Sequence, residues 1–315
     1  MNRSLINIAF SSDNNFAQHL CVSIYSLLDS LSPERYIRII VLDGGISNEN
    51  REKIIKTVQL FDNKKNSIEF YSINKFDFSS FKESKQITRA TYYRIKIPEM
   101  FPNIKKILYL DCDLVIVKDI SPLFDMNFGE NYLLAVKDSS IEMERQYRKY
   151  ISFKNGYFNA GVLLINLEKF RDNDISNKIE YSLNNDELPP HSHDQGALNK
   201  ILFDKWGVIN PIWNQLAGVS IEKNYRNTTY SECEFFDSKN NPRIIHFSSR
   251  FSKPWSYESI SPNKKLYYKY LKKTLFEGYA PTFKVSSLAK FILNYIYFRI
   301  LSSTVTRFIY KNFIN

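Results

Sequence analysis

The stretch KKILYLDCDLVIVKDI, residues 105–120, sets Asp111 and Asp113 one residue apart at the end of an apolar run. A carboxylate emerging from a buried segment is costly unless something meets it. In extended chain, residues i and i+2 share a face. The two acids can therefore aim at one point, with Cys112 turned away. Like charges that close repel, unless a cation sits between them or one takes a proton. A divalent ion is the natural remedy, since carboxylate oxygens suit Mg²⁺ or Mn²⁺. The plainer alternative is that the acids cap a loop or pair with Lys105, Lys106 or Lys118.

The same stretch points to the fold. ILYL is one of three apolar runs that end in polar residues. NIAF runs into Ser11-Ser12-Asp13-Asn14-Asn15, and IIVL runs into Asp43. Between them lies FAQHLCVSIYSLLDSL, with Phe16, Leu20, Ile24, Leu27, Leu28 and Leu31 at helical spacing. Ser47 reads as an N-cap for NENREKIIKTVQLF. SIEFYSI reads as a further strand. TRATYYRIKI reads as a helix that stops near Pro98. Strand–helix alternation with continuous apolar strands predicts an α/β chain, its mostly parallel sheet covered by helices on both faces. Ligands in such sheets sit outside the carboxyl ends of the strands, where these polar clusters converge.

The 315 residues suffice for a sizeable core, in one large domain or two. Hydrophobic content of 43% and charged content of 24% exclude a disordered chain. Three scattered cysteines, Cys21, Cys112 and Cys233, argue against a disulfide framework and fit a reducing, cytoplasmic setting. Leu5 to Phe10 is too short for a secretory leader. No apolar stretch has the length of a spanning helix. Nine of the ten net positive charges lie in residues 263–315, where ten Lys or Arg face the single Glu277. That shift divides the chain into a near-neutral body, residues 1–262, and a basic, aromatic-rich helical tail. A basic amphipathic tail suits the surface of an anionic membrane. It also suits packing on the body with a solvated basic face. No groove-reading motif accompanies the charge, so nucleic acid is not expected as a partner.

Of the four histidines, His246 stands at the end of a short strand-like run in RIIHFSSRFSKPW. A His there would complete an O,O,N ligand set, which favours Mn²⁺ over Mg²⁺. It could equally be a half-buried His bonded to backbone. His191 and His193 in PPHSHDQGALN lack metal-site partners at standard spacing and read as loop residues. Asp194 and Gln195 just behind open a helical stretch, with an N-cap as the plain reading.

The series FSSDNNFA, TYYRIKI, ILYLDCDLVIVKDISPLF, YFNAGVLLINLEKF, HDQGALN and IIHFSSRFSKPW resembles glycosyltransferase family 8 over roughly residues 5–258. It is most similar to the bacterial lipopolysaccharide galactosyl- and glucosyltransferases. The resemblance implies a GT-A fold, a Rossmann-like mixed sheet flanked by helices. It implies a UDP-galactose or UDP-glucose donor, Mn²⁺ and retention of anomeric configuration. It also implies a glycan or lipid-linked acceptor at the inner face of the membrane.

Position by position, Asp111 and Asp113 match the D-x-D metal ligands and His246 the third ligand. Cys112, between the acids, joins the donor-binding group. Asp13 and Asn15 match residues holding uridine and ribose. Arg94 matches an arginine near the donor sugar and diphosphate. Asn159, Asp194 and Gln195 match residues around the sugar and its reacting carbon. Asp138 matches a sugar-binding acid, and Lys253 the diphosphate lysine of the K-P-W element.

The resemblance has two departures. HFSSRFSKPW has one residue more than the family pattern and no Gly before Lys253, where Arg250 could supply charge instead. Gln86 stands where some relatives carry His. Retention requires a covalent intermediate or front-side attack by the acceptor hydroxyl. Gln195 is a weak nucleophile, with Asp194 and Asp138 as alternatives, and front-side attack is favoured. A non-catalytic nucleotide-sugar or glycan binder and a metal-dependent phosphohydrolase are the rival readings.

Overall fold

The computed structural model describes residues 5–61, 66–81, 83, 88–140, 155–185, 193–280, 288, 290–292, 295 and 296. Gln86, His191 and most of the tail beyond residue 280 lie outside them. Strands β1 (Leu5–Ser12), β2 (Tyr36–Asp43), β3 (Ser67–Ser72), β4 (Lys106–Leu110), β6 (Leu133–Lys137), β7 (Phe158–Asn166) and β8 (Trp206–Val208) form one sheet. Their order is β3-β2-β1-β4-β7-β6-β8. The second sheet has the order β5-β10-β9, from β5 (Leu114–Ile116), β9 (Gln215–Leu216) and β10 (Ile244–His246).

Alternating strand residues feed two cores. On one face, Ile8, Phe10, Ile39, Val41, Leu108 and Leu110 pack under helices α1 (Ala17–Ser30) and α2 (Asn48–Gln59). On the other, Ala9, Ile40, Leu42, Ile107 and Tyr109 meet the segment Arg89–Met100 and the helices Ile175–Asn184 and His193–Ile201. Ser47 caps α2 by accepting from the Asn50 backbone N–H.

The sheet is mostly parallel, as expected: β1 to β4 run parallel and β6 runs parallel to β8, while β7 runs antiparallel to both β4 and β6 and makes it the mixed sheet that the resemblance implies. Periodicity reports which face a residue occupies and not which way its strand runs. One expectation is corrected: TRATYYRIKI is a 3-10 helix, Arg89–Lys96, and it continues through Pro98 into the short helix Ile97–Met100. Pro98 is tolerated because it lies in the first turn, where its missing N–H has no helical partner to lose.

Three features of this topology build the cleft. Chain order reverses between β1 and β4, so Ser11–Asp13 and Asp111–Asp113 leave adjacent strands at one rim, the switch point of an α/β sheet. The antiparallel run of β7 brings its starting residues, Phe158–Gly161, to that rim, and the Asp111 N–H donates to the Gly161 carbonyl at 2.9 Å. β10 pairs with β5 so that His246 lies opposite Leu114, and the Phe247 N–H donates to the Asp113 carbonyl at 3.0 Å. α1 braces the turn from behind. The buried Ser23 hydroxyl lies 2.7 Å from the Cys112 carbonyl and 2.8 Å from that of Leu114.

The helix Lys264–Leu271 buries Tyr267, Tyr270 and Leu271 against Val22, Val115, Ile245 and Phe247. Lys265, Lys269, Lys272 and Lys273 face solvent. Among the described residues no helix is long and apolar enough to cross a membrane.

Candidate active site

The cleft has a volume of about 270 Å³. Its walls include Asp13, Arg94, Asp111, Cys112, Asp113, Asn159, Asp194, Gln195, His246 and Lys253. Ten of the twelve residues singled out from the sequence thus share one cavity. Asn15 stands on an exposed turn and is not part of the lining. Asp138 is half-buried behind Gln195, whose Nε2 donates to its Oδ2 at 3.3 Å.

Asp111, Asp113 and His246 each turn one ligand atom inward, and these atoms all lie within 4.8 Å of one another. His246 Nε2 is 3.2 Å from Asp113 Oδ1 and 3.9 Å from Asp111 Oδ2. Lys253 Nζ contacts Asp113 Oδ2. Burial alone would push the Asp113 carboxyl up, but Lys253, and His246 when its ring is protonated, outweigh it and hold the group below the usual carboxylate range. Cys112 turns away from its neighbours, its Sγ 3.0 Å from the Ser11 carbonyl, and burial pushes its thiol up. The lysines nearest in sequence are occupied elsewhere. Lys105 pairs with Glu168, Lys106 donates to the Met126 carbonyl, and Lys118 contacts Asn241.

Arg94 organises the opposite wall. Its guanidinium pairs with Asp111 Oδ1 at 2.9 Å and Asp194 Oδ2 at 3.0 Å, and lies 4.3 Å from the Tyr109 ring centroid. Burial would lower its pKa, but Asp111 and Asp194 raise it further and keep it charged. The pair does not fully offset the burial of Asp194, whose carboxyl is pushed up to about 6. Asp138 is also raised by burial, against hydrogen bonds from Ser140 N–H and Gln195. Gln195 Oε1 accepts from Ala160 N–H at 3.0 Å and from Asn159 Nδ2 at 3.2 Å.

Asp13 closes the end of β1, its Oδ1 accepting from the N–H groups of Asn15 and Phe16. The segment before Lys253 folds as a 3-10 turn, Arg250–Ser252, capped by Ser249. Arg250 is exposed, stacks over Phe251 and does not line the cleft.

Sequence reasoning missed three contributors. His193, read as a loop residue, opens a helix with φ 45°, lines the cleft and lies 3.0 Å from the Tyr92 hydroxyl. Gly161 packs against both His246 and Asp111. Asn214, fully buried, lies 2.9 Å from His246 Nδ1. Gly161 sits in the quoted FNAG motif and was within reach of sequence reading. Asn214 lies in none of the stretches quoted for the resemblance.

The chain belongs to glycosyltransferase family 8, whose model matches residues 7–259. It is 32% identical over 276 residues to general stress protein A of Bacillus subtilis, covering 86% of this chain and 94% of that protein. It is 30% identical over 224 residues to the lipopolysaccharide 1,3-galactosyltransferase of Salmonella typhimurium, spanning 69% of this chain and 65% of that one. Among solved structures, the galactosyltransferase LgtC in complex with donor and acceptor sugar analogs superposes with a TM-score of 0.74 at 27% identity. The match covers 90% of this chain and all of that one. The fold is therefore GT-A, and the chain is a glycosyltransferase with a candidate Asp-Asp-His metal site.

Proposed function

We propose that this chain transfers galactose or glucose from a UDP-sugar to a lipopolysaccharide or other cell-surface glycan, with retention. One observation carries the reading: Asp111, Asp113 and His246 converge beside Lys253 at the switch point of a family 8 fold. The donor set fits a divalent ion, because two carboxylate oxygens and an imidazole nitrogen lie within 4.8 Å of one another. Mn²⁺ suits two oxygens and one nitrogen better than Mg²⁺. Bound by these residues, the ion would supply Lewis-acid stabilisation of the leaving diphosphate.

The chain's own groups divide the remaining work. Lys253 brings a point charge to the diphosphate. Asp13 meets the ribose at the end of β1, with Asn15 on the turn beside it. Arg94 fixes Asp111 and Asp194 in place beneath the sugar. Asn159 and Gln195 are already hydrogen-bonded to each other. Gln195 Oε1 accepts two bonds, which blunts it further as a nucleophile and supports front-side attack through an oxocarbenium-like transition state. Asp194 lines the cleft and accepts from the sugar hydroxyls, with Asp138 behind Gln195 as the further sugar-binding acid.

The test is UDP release from UDP-galactose and UDP-glucose with Mn²⁺, with and without acceptor glycan, and NMR of the product's anomeric configuration. A chelator should abolish transfer and Mn²⁺ should restore it. Full activity in chelator refutes the reading. Release indifferent to acceptor favours a phosphohydrolase, and binding without release favours a non-catalytic module.

We also propose that residues 1–262 act as the catalytic unit and that the basic tail, 263–315, meets an anionic membrane surface on the cytoplasmic side. The exposed lysines of the packed helix continue that charge onto the body. A chain ending at Ala280 keeps the packed helix, so it should fold yet lose flotation with anionic liposomes. Flotation equal to the full chain's refutes a membrane role for residues 281–315.

A further inference from the structure

We propose that Asn214 is the positioning residue that holds His246 in the tautomer able to ligate a cation, and that strand β7 dictates its orientation. The inference rests on the metal-site reading above, but its primary measurement needs no metal, so the two can fail separately.

The oxygen and nitrogen ends of an amide are told apart by their partners. Here a backbone group decides. The Gly161 N–H can only donate, and it lies 3.0 Å from Asn159 Oδ1. The Asn214 amide end facing that same oxygen, at 2.9 Å, must therefore be its NH₂. Asn214 Oδ1 is thereby turned to His246 Nδ1 at 2.9 Å. An amide oxygen only accepts, so Nδ1 carries the hydrogen. Nε2 then presents its lone pair to Asp113 and Asp111. Lone pair against carboxylate is repulsive until a cation stands between them.

The neighbouring N–H of β7 works in the other direction. The Ala160 N–H fixes Gln195 Oε1, which turns Gln195 Nε2 to Asp138. Two successive backbone donors thus orient a continuous row of side chains, His246–Asn214–Asn159–Gln195–Asp138. Both Asn214 and His246 are buried, so water does not readily replace the amide. Partners of this kind set which imidazole nitrogen is bare.

The experiment is ¹⁵N NMR of the full chain without metal, at alkaline pH where the rings are neutral. The His246 signals are identified by their loss in His246→Gln. The wild type should carry its proton on Nδ1. Asn214→Leu removes both contacts at similar volume. His246 should revert to the Nε2–H form, and the Mn²⁺ concentration needed for half-maximal UDP release should rise about 10–100-fold. Asn214→Asp keeps an oxygen acceptor and should keep Nδ1–H. Circular dichroism and the other three histidine signals report folding. A wild-type ring protonated on Nε2 overturns the proposal, as does an unchanged tautomer in folded Asn214→Leu. If the Leu variant does not fold, Nε2–H in Asn214→Asp does the same.

Discussion

Gly161→Ala adds one methyl group and replaces no ionisable side chain, yet it should disable the cleft. The new Cβ would lie 2.2 Å from His246 Cε1 and 2.9 Å from both His246 Nδ1 and Asp111 Oδ2. Gly161 is not in the left-handed region, so the constraint is contact and not backbone conformation. Ordinary carbon contacts begin near 3.5 Å, so the imidazole must retreat by about 1 Å. It is hemmed in by Asn214 on one side and the two carboxylates on the other. Misplacing a reacting or liganding group by about 1 Å costs roughly 10²-fold in rate. Overpacking a core costs about 1–3 kcal/mol. The fall in Tm should be about 2–12 °C, because 1 kcal/mol shifts a domain of 150–250 residues by about 2–4 °C. The assay pairs Mn²⁺-dependent UDP release with thermal unfolding. The expected result is a folded protein with about 1% of wild-type rate and a raised Mn²⁺ requirement. A rate within threefold of wild type, at an unchanged Mn²⁺ midpoint, would refute the assignment of His246 and Asp111 to one cation.

Two further outcomes follow from the charges. Lys253→Met removes the point charge beside Asp113 and should lower the rate about 10²–10³-fold, without rescue by excess Mn²⁺. A loss below threefold would mean that Lys253 does not serve the diphosphate. Asp194→Asn tests the buried acid. Its carboxyl is pushed up to about 6 by burial, against the opposing pull of Arg94. Between about pH 4, the unfolded value, and about 6 the native state holds more protons than the unfolded chain. Stability therefore falls as pH rises through that window, by about 3 kcal/mol in all. Asp113 contributes in the opposite sense and below pH 4, where its depressed carboxyl takes up protons as the native state weakens. The Tm of Asp194→Asn minus that of wild type should climb between pH 4 and 7, and a flat difference would mean that Asp194 titrates normally.

Some of the site could be read because its signals are local. Apolar runs ending in Asp13, Asp43 and Asp111 marked strand ends, and the spacing of Asp111 and Asp113 marked a shared target. Asp43 shows how far a local signal reaches. It ends its strand as expected but accepts from Gly45 and Ile46 N–H and pairs with Arg51, outside the cleft lining. The same acid-after-strand pattern builds a turn in one place and a ligand site in another. The difference is which strand lies next door.

Chain chemistry alone specified the residue types and the edge on which they gather, since burial periodicity and capping act over a few residues. It specified the D-x-D, the His at the end of a late strand and the helix start at Ser47. Direction and adjacency came from folding. The reversed course of β7 brings Asn159 and Gly161 to the rim, and pairing of β10 with β5 sets His246 beside Asp113. Arg94 meets Asp194 only because the Arg89–Lys96 segment packs near the helix carrying Asp194. Such contacts join residues far apart in the chain, and no short-range pattern encodes them. Only the assembled sheets and their packed helices decide which of the available polar groups meet.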